Sequence, residues 1–233
     1  MISLREVSDR FANRLRHGLL TQEVLDRLAR AGLRIYPYFL VYETLRDRPE
    51  LTEGREGFET RFLRHDELAA VSEIPARPQR LERLRARTTN GACFGVWHGP
   101  SLAAYTWYSS RHLPAAAGGH RLCALPPRAA YLYDAYVLPE YRGHRIAGFM
   151  RHKFYEALAE TGFEHFFSVT LAFNRSSRRF KDKLAAEEFE TRLLVSLGRL
   201  YGIDCCVSRK ENRIDAPRVL RIRPGRRAVE EER

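Results

Sequence analysis

The sequence predicts an α+β fold with a mixed, mostly antiparallel central sheet flanked by helices, and three observations support this class. Several short segments alternate apolar and polar residues, as half-buried strands do. A helix with a continuous apolar face precedes a nearly all-apolar strand, as expected for a strand that is buried on both faces. The chain has 233 residues, 44% of them hydrophobic and 30% charged, which is enough for one domain with a buried core plus an appendage.

Residues 1–56 are predicted to form an appendage that contains a helical hairpin and an extra edge strand. The second helix runs from Thr21 to Gly32. The strand covers residues 35–42, and Pro37 is expected to confine it to a sheet edge or to the start of a strand. The apolar stripe of the first helix consists of Leu4, Val7, Phe11 and Leu15.

Residues 57–209 are predicted to form the main domain, and residues 210–233 a charged tail. Asp66 is expected to cap the first short helix of this domain. Residues 110–128 are predicted to be one long irregular loop. The predicted order is strand 58–62, a short helix after Asp66, helix 80–87, strands 92–97 and 102–108, strand 131–137, helix 146–162, strand 166–173, helix 175–185, and two antiparallel strands within 189–207.

The cysteine pattern and the net charge limit the classes of function. The four cysteines lack the spacing of metal ligands, so we expect free, reduced thiols and no metal site. No apolar run is long enough for a membrane span and the N-terminus lacks a secretory signal, which predicts a cytoplasmic protein. A net charge of +11 favours a polyanionic or acidic partner. Nucleic acid is the unlikely choice because the basic residues are scattered and lack a stacking pattern. The cysteines are Cys93, Cys123, Cys205 and Cys206.

The segment 139–148 is the strongest candidate site. A strand that ends at Val137, a tight turn at Gly143 and the start of a helix should direct several free backbone N–H groups at one point. The helix dipole adds roughly half a positive charge there. The side chains of Arg142, His144 and Arg145 add more. A pyrophosphate group would fit this arrangement.

The same segment resembles the signature of the GNAT superfamily, the acyl-coenzyme A-dependent N-acyltransferases. Arg142, Arg145 and Ala147 fall on the signature positions, although the family has glycine where this chain has Arg145. A second motif of the family resembles residues 174–184, and the element order of residues 58–207 fits the family as well. The resemblance implies that the backbone amides of Arg142, Gly143, His144, Arg145, Ile146 and Ala147 hold the pyrophosphate of an acyl-CoA co-substrate.

The resemblance also implies a reaction. An amine attacks the thioester carbonyl directly, a backbone amide near Tyr136 or Val137 stabilises the oxyanion, and coenzyme A leaves as the thiolate. Asn174 would contact the acyl arm or the pantetheine, although it could equally be a helix N-cap. Phe180 occupies the position where the family often has a proton-donating tyrosine. Two tyrosines, Tyr133 and Tyr201, are alternative donors, or simply packed aromatic residues.

Asp134 is the first candidate for the general base that deprotonates the amine. It interrupts an apolar strand beside the expected cleft, where partial burial would raise its pKa. The alternative is an Asp that faces solvent. His98, at the turn between two strands, is the second candidate, and its alternative is a solvated histidine.

The acceptor is expected to be an amine on a small molecule or on a carrier. The 110–128 loop could cover the acceptor with Arg121 and Arg128, or be a surface excursion.

Acyl carrier protein is an alternative donor, since an acidic protein would be attracted to this basic chain. The N-terminal helices could make peripheral membrane contact and serve a long-chain acyl donor, or pack on the enzyme. A non-catalytic basic binding protein is the third alternative.

Overall fold

A computed structural model describes residues 19–46, 49–53, 55–75, 77–114, 121–197 and 201–210. The predicted first helix, the middle of the 110–128 segment and the predicted tail beyond Lys210 lie outside these ranges. The chain divides into two compact units. The first unit combines Met1–Tyr42, Leu113–Ala124 and Val169–Arg233, and the second combines Glu43–His112 and Leu125–Ser168.

The secondary structure follows the predicted order closely. The helices are α1 (Leu19–Arg30), α2 (Leu68–Ser72), α3 (Leu81–Arg87), α4 (Ile146–Glu160) and α5 (Arg175–Lys183). The strands are β1 (Leu33–Glu43), β2 (Phe58–Phe62), β3 (Gly91–His98), β4 (Ser101–Ser109), β5 (His112–Pro114), β6 (Arg121–Ala124), β7 (Ala129–Val137), β8 (His165–Leu171), β9 (Glu187–Leu197) and β10 (Tyr201–Arg209).

In the second unit, β2, β3, β4 and β7 are neighbours in that order and antiparallel, and β8 joins β7 as a parallel strand. Adjacent residues of β3 point to opposite faces, so Phe94 packs with helix α4 and Cys93 packs with helices α2 and α3. This confirms the predicted class, a mixed and mostly antiparallel sheet with flanking helices. The apolar face of α4 consists of Ile146, Phe149, Met150, Phe154, Tyr155 and Leu158.

In the first unit, β1 pairs with β9 and β9 with β10, both antiparallel. The expectation that Pro37 marks an edge or the start of a strand is wrong. Pro37 lies within β1 opposite Leu193, and its carbonyl accepts a hydrogen bond from the Ala172 N–H on the other side. A residue directs its N–H and C=O to the same side of a strand, so the missing donor faces Ala172 and leaves the β9 ladder intact.

Two local expectations also need correction. The 110–128 segment is not wholly irregular, because β5 and β6 pair as a small two-stranded sheet on either side of residues 115–120, which lie outside the described ranges. Asp66 does not cap α2. The residue at the cap position is Glu67, whose carboxylate instead accepts hydrogen bonds from the Arg61 guanidinium and the Arg64 N–H.

The four cysteines are free thiols, as predicted, with Cys93 buried and Cys205 and Cys206 exposed. Burial raises the pKa of the Cys93 thiol, and it also raises the pKa of Cys123 to about 11. Both thiols are therefore protonated near neutral pH. None of the helices within the described ranges combines the length and apolar content that a membrane crossing requires.

The first unit contains a buried ionic cluster around Arg192. Its guanidinium donates to Asp204 at 2.6 Å and to the Glu190 carboxylate, and Tyr38 donates to Asp204 at 2.5 Å. Arg209 completes the cluster by donating to Glu190 at 2.8 Å. Burial and the hydrogen bond to Asp204 raise the pKa of Tyr38, so its hydroxyl stays a donor. Hydrogen bonds and ion pairs of this cluster connect the strands β1, β9 and β10.

Replacing Arg192 should destabilise the protein strongly. Arg192→Leu leaves two buried carboxylates without their shared cation, which should lower the free energy of unfolding by about 3–5 kcal/mol. Urea denaturation measures this loss. Arg64→Leu is the control, because Arg64 is 71% exposed and pairs at the surface with Asp66 and Glu67, so we expect a much smaller loss. Equal denaturation midpoints for the two variants would contradict the assignment.

Candidate functional site

The turn between β7 and α4 has an unusual backbone. A single 3-10 turn (Pro139–Tyr141) leads to Gly143, with φ of +85°, and to Arg145, with φ of +58° directly before the helix. Both values lie in the left-handed region that favours glycine. This explains why a glycine would suit the position of Arg145. The Arg145 side chain itself is exposed.

Backbone N–H groups of this turn are available to a ligand. Within the described part of the chain, the N–H groups of residues 143–147 have no acceptor. The next two, of Gly148 and Phe149, both bond to the carbonyl of Arg145. No atom lies within 4 Å of the place that a Cβ would take at Gly143, so the turn is open on that side. Free N–H groups at a helix N-terminus form a site for an anion.

Arg142 is fixed beside the turn. Its Nε donates to the carbonyl of Val137 at 3.1 Å, and its guanidinium lies 5.4 Å from the centre of the Tyr136 ring. The Tyr136 ring also contacts Arg77, at 5.5 Å. His144 is exposed like Arg145. The turn therefore combines unpaired N–H groups with three basic side chains, as expected for a phosphate site.

The two parallel strands separate a short distance before the turn. Within the described residues, the parallel ladder between β7 and β8 covers three residue pairs and ends at Tyr131 opposite Phe167. Strand β7 continues to Val137. The edge of β7 beyond Tyr131 is therefore not hydrogen-bonded to β8 in that ladder.

A β-bulge lies in β7 beyond this point. Tyr105 pairs with Tyr136 and Trp107 with Tyr133, so one residue of β4 stands opposite both Asp134 and Ala135. Asp134 has φ of +53°, again in the left-handed region. The extra residue brings Tyr133 and Tyr136 to the same face of the sheet, where both pack with α2 and α3.

The direction of the main chain separates the two predicted oxyanion donors. The N–H of Leu138 bonds to Ala103, and therefore faces β4. Because directions alternate along a strand, the N–H and C=O of Val137 face the open edge, and its C=O indeed accepts from Arg142. The N–H of Tyr136 faces β4 by the same rule. Val137, not Tyr136, directs its amide into the opening.

Asp134 lies between two arginines. Its carboxylate is 2.7 Å from Arg77 Nη2 and 2.6 Å from Arg87 Nη1, and its side chain is 8% exposed. The expectation of an Asp that faces solvent is therefore wrong, and the role as a general base stays a prediction. Arg77 and Arg87 could not be recognised from sequence as partners of Asp134, because each lies about 50 positions away and outside any motif.

The other residues considered for proton transfer lie in different surroundings. Tyr133 stacks on Tyr131, with ring centres 5.3 Å apart, and burial raises its pKa to about 12. Phe180 is partly buried on α5, and the side chain of Tyr201 lies outside the described part of the structure. His98 is exposed and stacks on Phe58 at 4.8 Å.

Asn174 is the N-cap of α5. Its side-chain oxygen accepts a hydrogen bond from the Ser177 N–H at 3.0 Å, which is one of its two predicted roles. Its predicted contact with the acyl arm remains a prediction. Within the described ranges, no group of three or more His, Cys, Asp or Glu side chains could hold a metal ion.

Residues 58–185, more than half of the chain, match a family model described as the acetyltransferase (GNAT) family. The chain therefore belongs to the GNAT acetyltransferase family. The description names this as a family of acetyltransferases. The sequence has no significant match among proteins of curated function.

Two solved structures share the fold at low sequence identity. A putative GNAT acetyltransferase from Novosphingobium aromaticivorans is 20% identical, with a TM-score of 0.50, over 72% of this chain and 67% of its own. A conserved protein of unknown function from Staphylococcus epidermidis is 7% identical, with a TM-score of 0.54, over 74% and 66%. A Drosophila protein is 15% identical, with a TM-score of 0.47, over 76% of this chain. This chain spans only 57% of the length of the Drosophila protein.

Proposed function

We propose that the protein transfers an acetyl or other short acyl group from an acyl-CoA to an amine on a small molecule or a carrier. The turn at residues 142–147 would hold the pyrophosphate of the donor. The observation that carries this proposal is the run of unpaired N–H groups at residues 143–147, beside a strand edge that is open past Tyr131. The first N–H groups of any helix lack an acceptor within that helix, so it is their position beside the open strand edge that supports a ligand site.

The reaction would use the open edge of β7. The Val137 N–H would donate to the thioester oxygen as the amine attacks and negative charge develops there, and such a donor contributes several kcal/mol to catalysis, about 3 in measured cases. The bulge at Asp134 and Ala135 sets the direction of this N–H. The hydrogen bond from Arg142 to the Val137 carbonyl joins the same residue, through its following peptide, to the anion site.

The leaving thiolate needs a proton, and Phe180 cannot supply one. Tyr133 keeps its proton far above neutral pH, because burial raises its pKa to about 12. Because this value lies above the pKa of about 8.5 of a thiol, proton transfer from Tyr133 to the thiolate is thermodynamically unfavourable, and stacking on Tyr131 keeps the ring within the packed face. Water is therefore the simplest proton source in this proposal.

Calorimetric titration with coenzyme A, acetyl-CoA and acyl-CoAs of increasing length tests the donor class. We expect binding of coenzyme A itself, because the pyrophosphate contacts do not depend on the acyl group. ADP should compete, since it carries the same pyrophosphate. If no CoA compound binds but an acylated carrier protein does, the acyl donor is the carrier protein and not acyl-CoA. An amine screen that follows release of the free thiol would then identify the acceptor.

A further inference from the structure

A surplus of positive charge lies at the α2–α3 side of the second unit. The single carboxylate of Asp134 pairs with both Arg77 and Arg87, at 2.7 and 2.6 Å. Within the described residues, one of these two positive charges therefore lacks a counter-ion. The side chains of Arg77 and Arg87 are 42% and 34% exposed, so solutes can reach both guanidiniums. The surplus charge can therefore bind an anionic group of a ligand.

Arg142 adds another positive charge at the same side. Its guanidinium lies 5.4 Å from the centre of the Tyr136 ring, and the guanidinium of Arg77 lies 5.5 Å from the same centre. Arg142 has no ion pair with a described carboxylate, and its two Nη atoms have no acceptor among the described residues. The half-buried ring of Tyr136, which packs with α2 and α3, is therefore bordered by two cations.

Arg142 connects this charge to the proposed reaction point. Its Nε donates to the carbonyl oxygen of Val137 at 3.1 Å, and the N–H of Val137 faces the same open edge. Standard bond lengths then place the guanidinium within about 8 Å of that N–H, which would hold the thioester oxygen. The amine and the carboxylate of a small amino acid are only a few bonds apart. An amine that attacks the thioester carbon could therefore bring its carboxylate to this guanidinium.

Arg77 is held in place by hydrogen bonds and an ion pair. Its Nη2 pairs with Asp134, and its Nη1 donates to the Tyr105 hydroxyl at 3.4 Å. Gln79 donates to the same hydroxyl at 3.0 Å. These contacts orient the guanidinium over the Tyr136 ring before a ligand binds, which reduces the entropy lost on binding. Arg77 lies between α2 and α3 and outside the donor turn, so its effect can be separated from binding of the acyl-CoA.

We propose that the acceptor amine also carries a carboxylate, and that Arg77 and Arg142 bind this carboxylate beside the Tyr136 ring. This inference rests on the proposed function, and it adds the chemical class of the acceptor, an amino acid or a similar amino carboxylate. A guanidinium binds a carboxylate through two parallel hydrogen bonds. An acceptor without negative charge would leave both cations uncompensated, and they would repel a polyamine.

Acyl transfer to matched acids and amides tests the proposal. The full chain is assayed by release of free thiol from the acyl-CoA that binds most tightly, with each of the standard amino acids and its α-amide as acceptor. The amide keeps the size of the acid, lacks its negative charge and has a less basic amine, so amine reactivity alone favours the amide. We expect the best acid to exceed its amide at least about tenfold in kcat/KM, as one hydrogen bond to a charged group allows.

Arg77→Met and Arg87→Met form a matched pair of variants. Each substitution removes one of the two cations that pair with Asp134. The guanidinium of Arg77 lies over the Tyr136 ring. That of Arg87 lies over the Trp107 ring instead. Arg77→Met should therefore remove most of the acid-to-amide ratio and raise the KM of the acid. Arg87→Met should keep the ratio, although it lowers the rate with both compounds.

Three results would overturn the inference. These are amino acids that are acylated no faster than their amides, faster acylation of tyramine or spermidine than of any amino acid in the same assay, and an equal fall of the ratio in Arg77→Met and Arg87→Met. In each case coenzyme A still binds the wild-type protein and the proposed function stands. If coenzyme A itself fails to bind, the proposed function and this inference both fail.

Discussion

Gly143→Val is expected to weaken acetyl-CoA binding about 10- to 100-fold, the loss of one hydrogen bond to a charged group, worth about 1.5–3 kcal/mol. Gly143 has φ of +85°, where a β-branched residue is strained by about 1–2 kcal/mol. The backbone relieves that strain by rotating, and rotation moves the N–H groups of His144 and Arg145 away from their common direction. Isothermal titration with acetyl-CoA measures the change in Kd.

Gly162→Val is a matched control for this prediction. Gly162 has φ of +93°, and no atom lies within 4 Å of the position that its Cβ would take, as at Gly143. It ends α4 at the opposite end from the turn. The two variants should lose similar amounts of stability on thermal denaturation, while only Gly143→Val loses affinity. Equal losses of affinity in both variants would show that general strain, and not the turn, controls binding.

The parts of the fold that could be predicted are those in which one local pattern dominates. The apolar face of α4 and the turn of residues 98–100 between β3 and β4 each specify local structure without distant contacts. Pro37 misled the prediction because the side of a strand on which a missing donor falls depends on its neighbours. The β5–β6 pair was missed because a strand of three or four residues between prolines and glycines has no periodic signal.

The candidate site also contains parts that could be predicted from sequence and parts that could not. The turn at residues 142–147 has a local cause, a glycine and a helix start after a strand, and the sequence contains all of it. The choice of Val137 over Tyr136 depends on the register with β4, which sequence does not contain.

Asp134→Asn separates a catalytic role from a positioning role at the bulge. Asparagine keeps the shape and tolerates the left-handed backbone of Asp134, so the substitution removes only the charge. The loss leaves Arg77 and Arg87 without their shared anion. Because these arginines are 42% and 34% exposed, we expect a loss of about 1–3 kcal/mol in the free energy of unfolding, less than for a fully buried pair.

The pH dependence of the rate then decides between the two roles. A general base must be deprotonated, so the rate falls on the acid side of its pKa, and Asp134→Asn would abolish that decline. If Asp134 instead positions the bulge, the variant lowers the rate at every pH and keeps the decline. Arg87→Met is the matched variant, since it weakens the same ion pair and leaves the carboxylate. We expect it to lower the rate in the same pH-independent way, because both changes loosen the peptide geometry that directs the Val137 N–H into the opening. A decline that disappears only in Asp134→Asn would assign the base to this carboxylate.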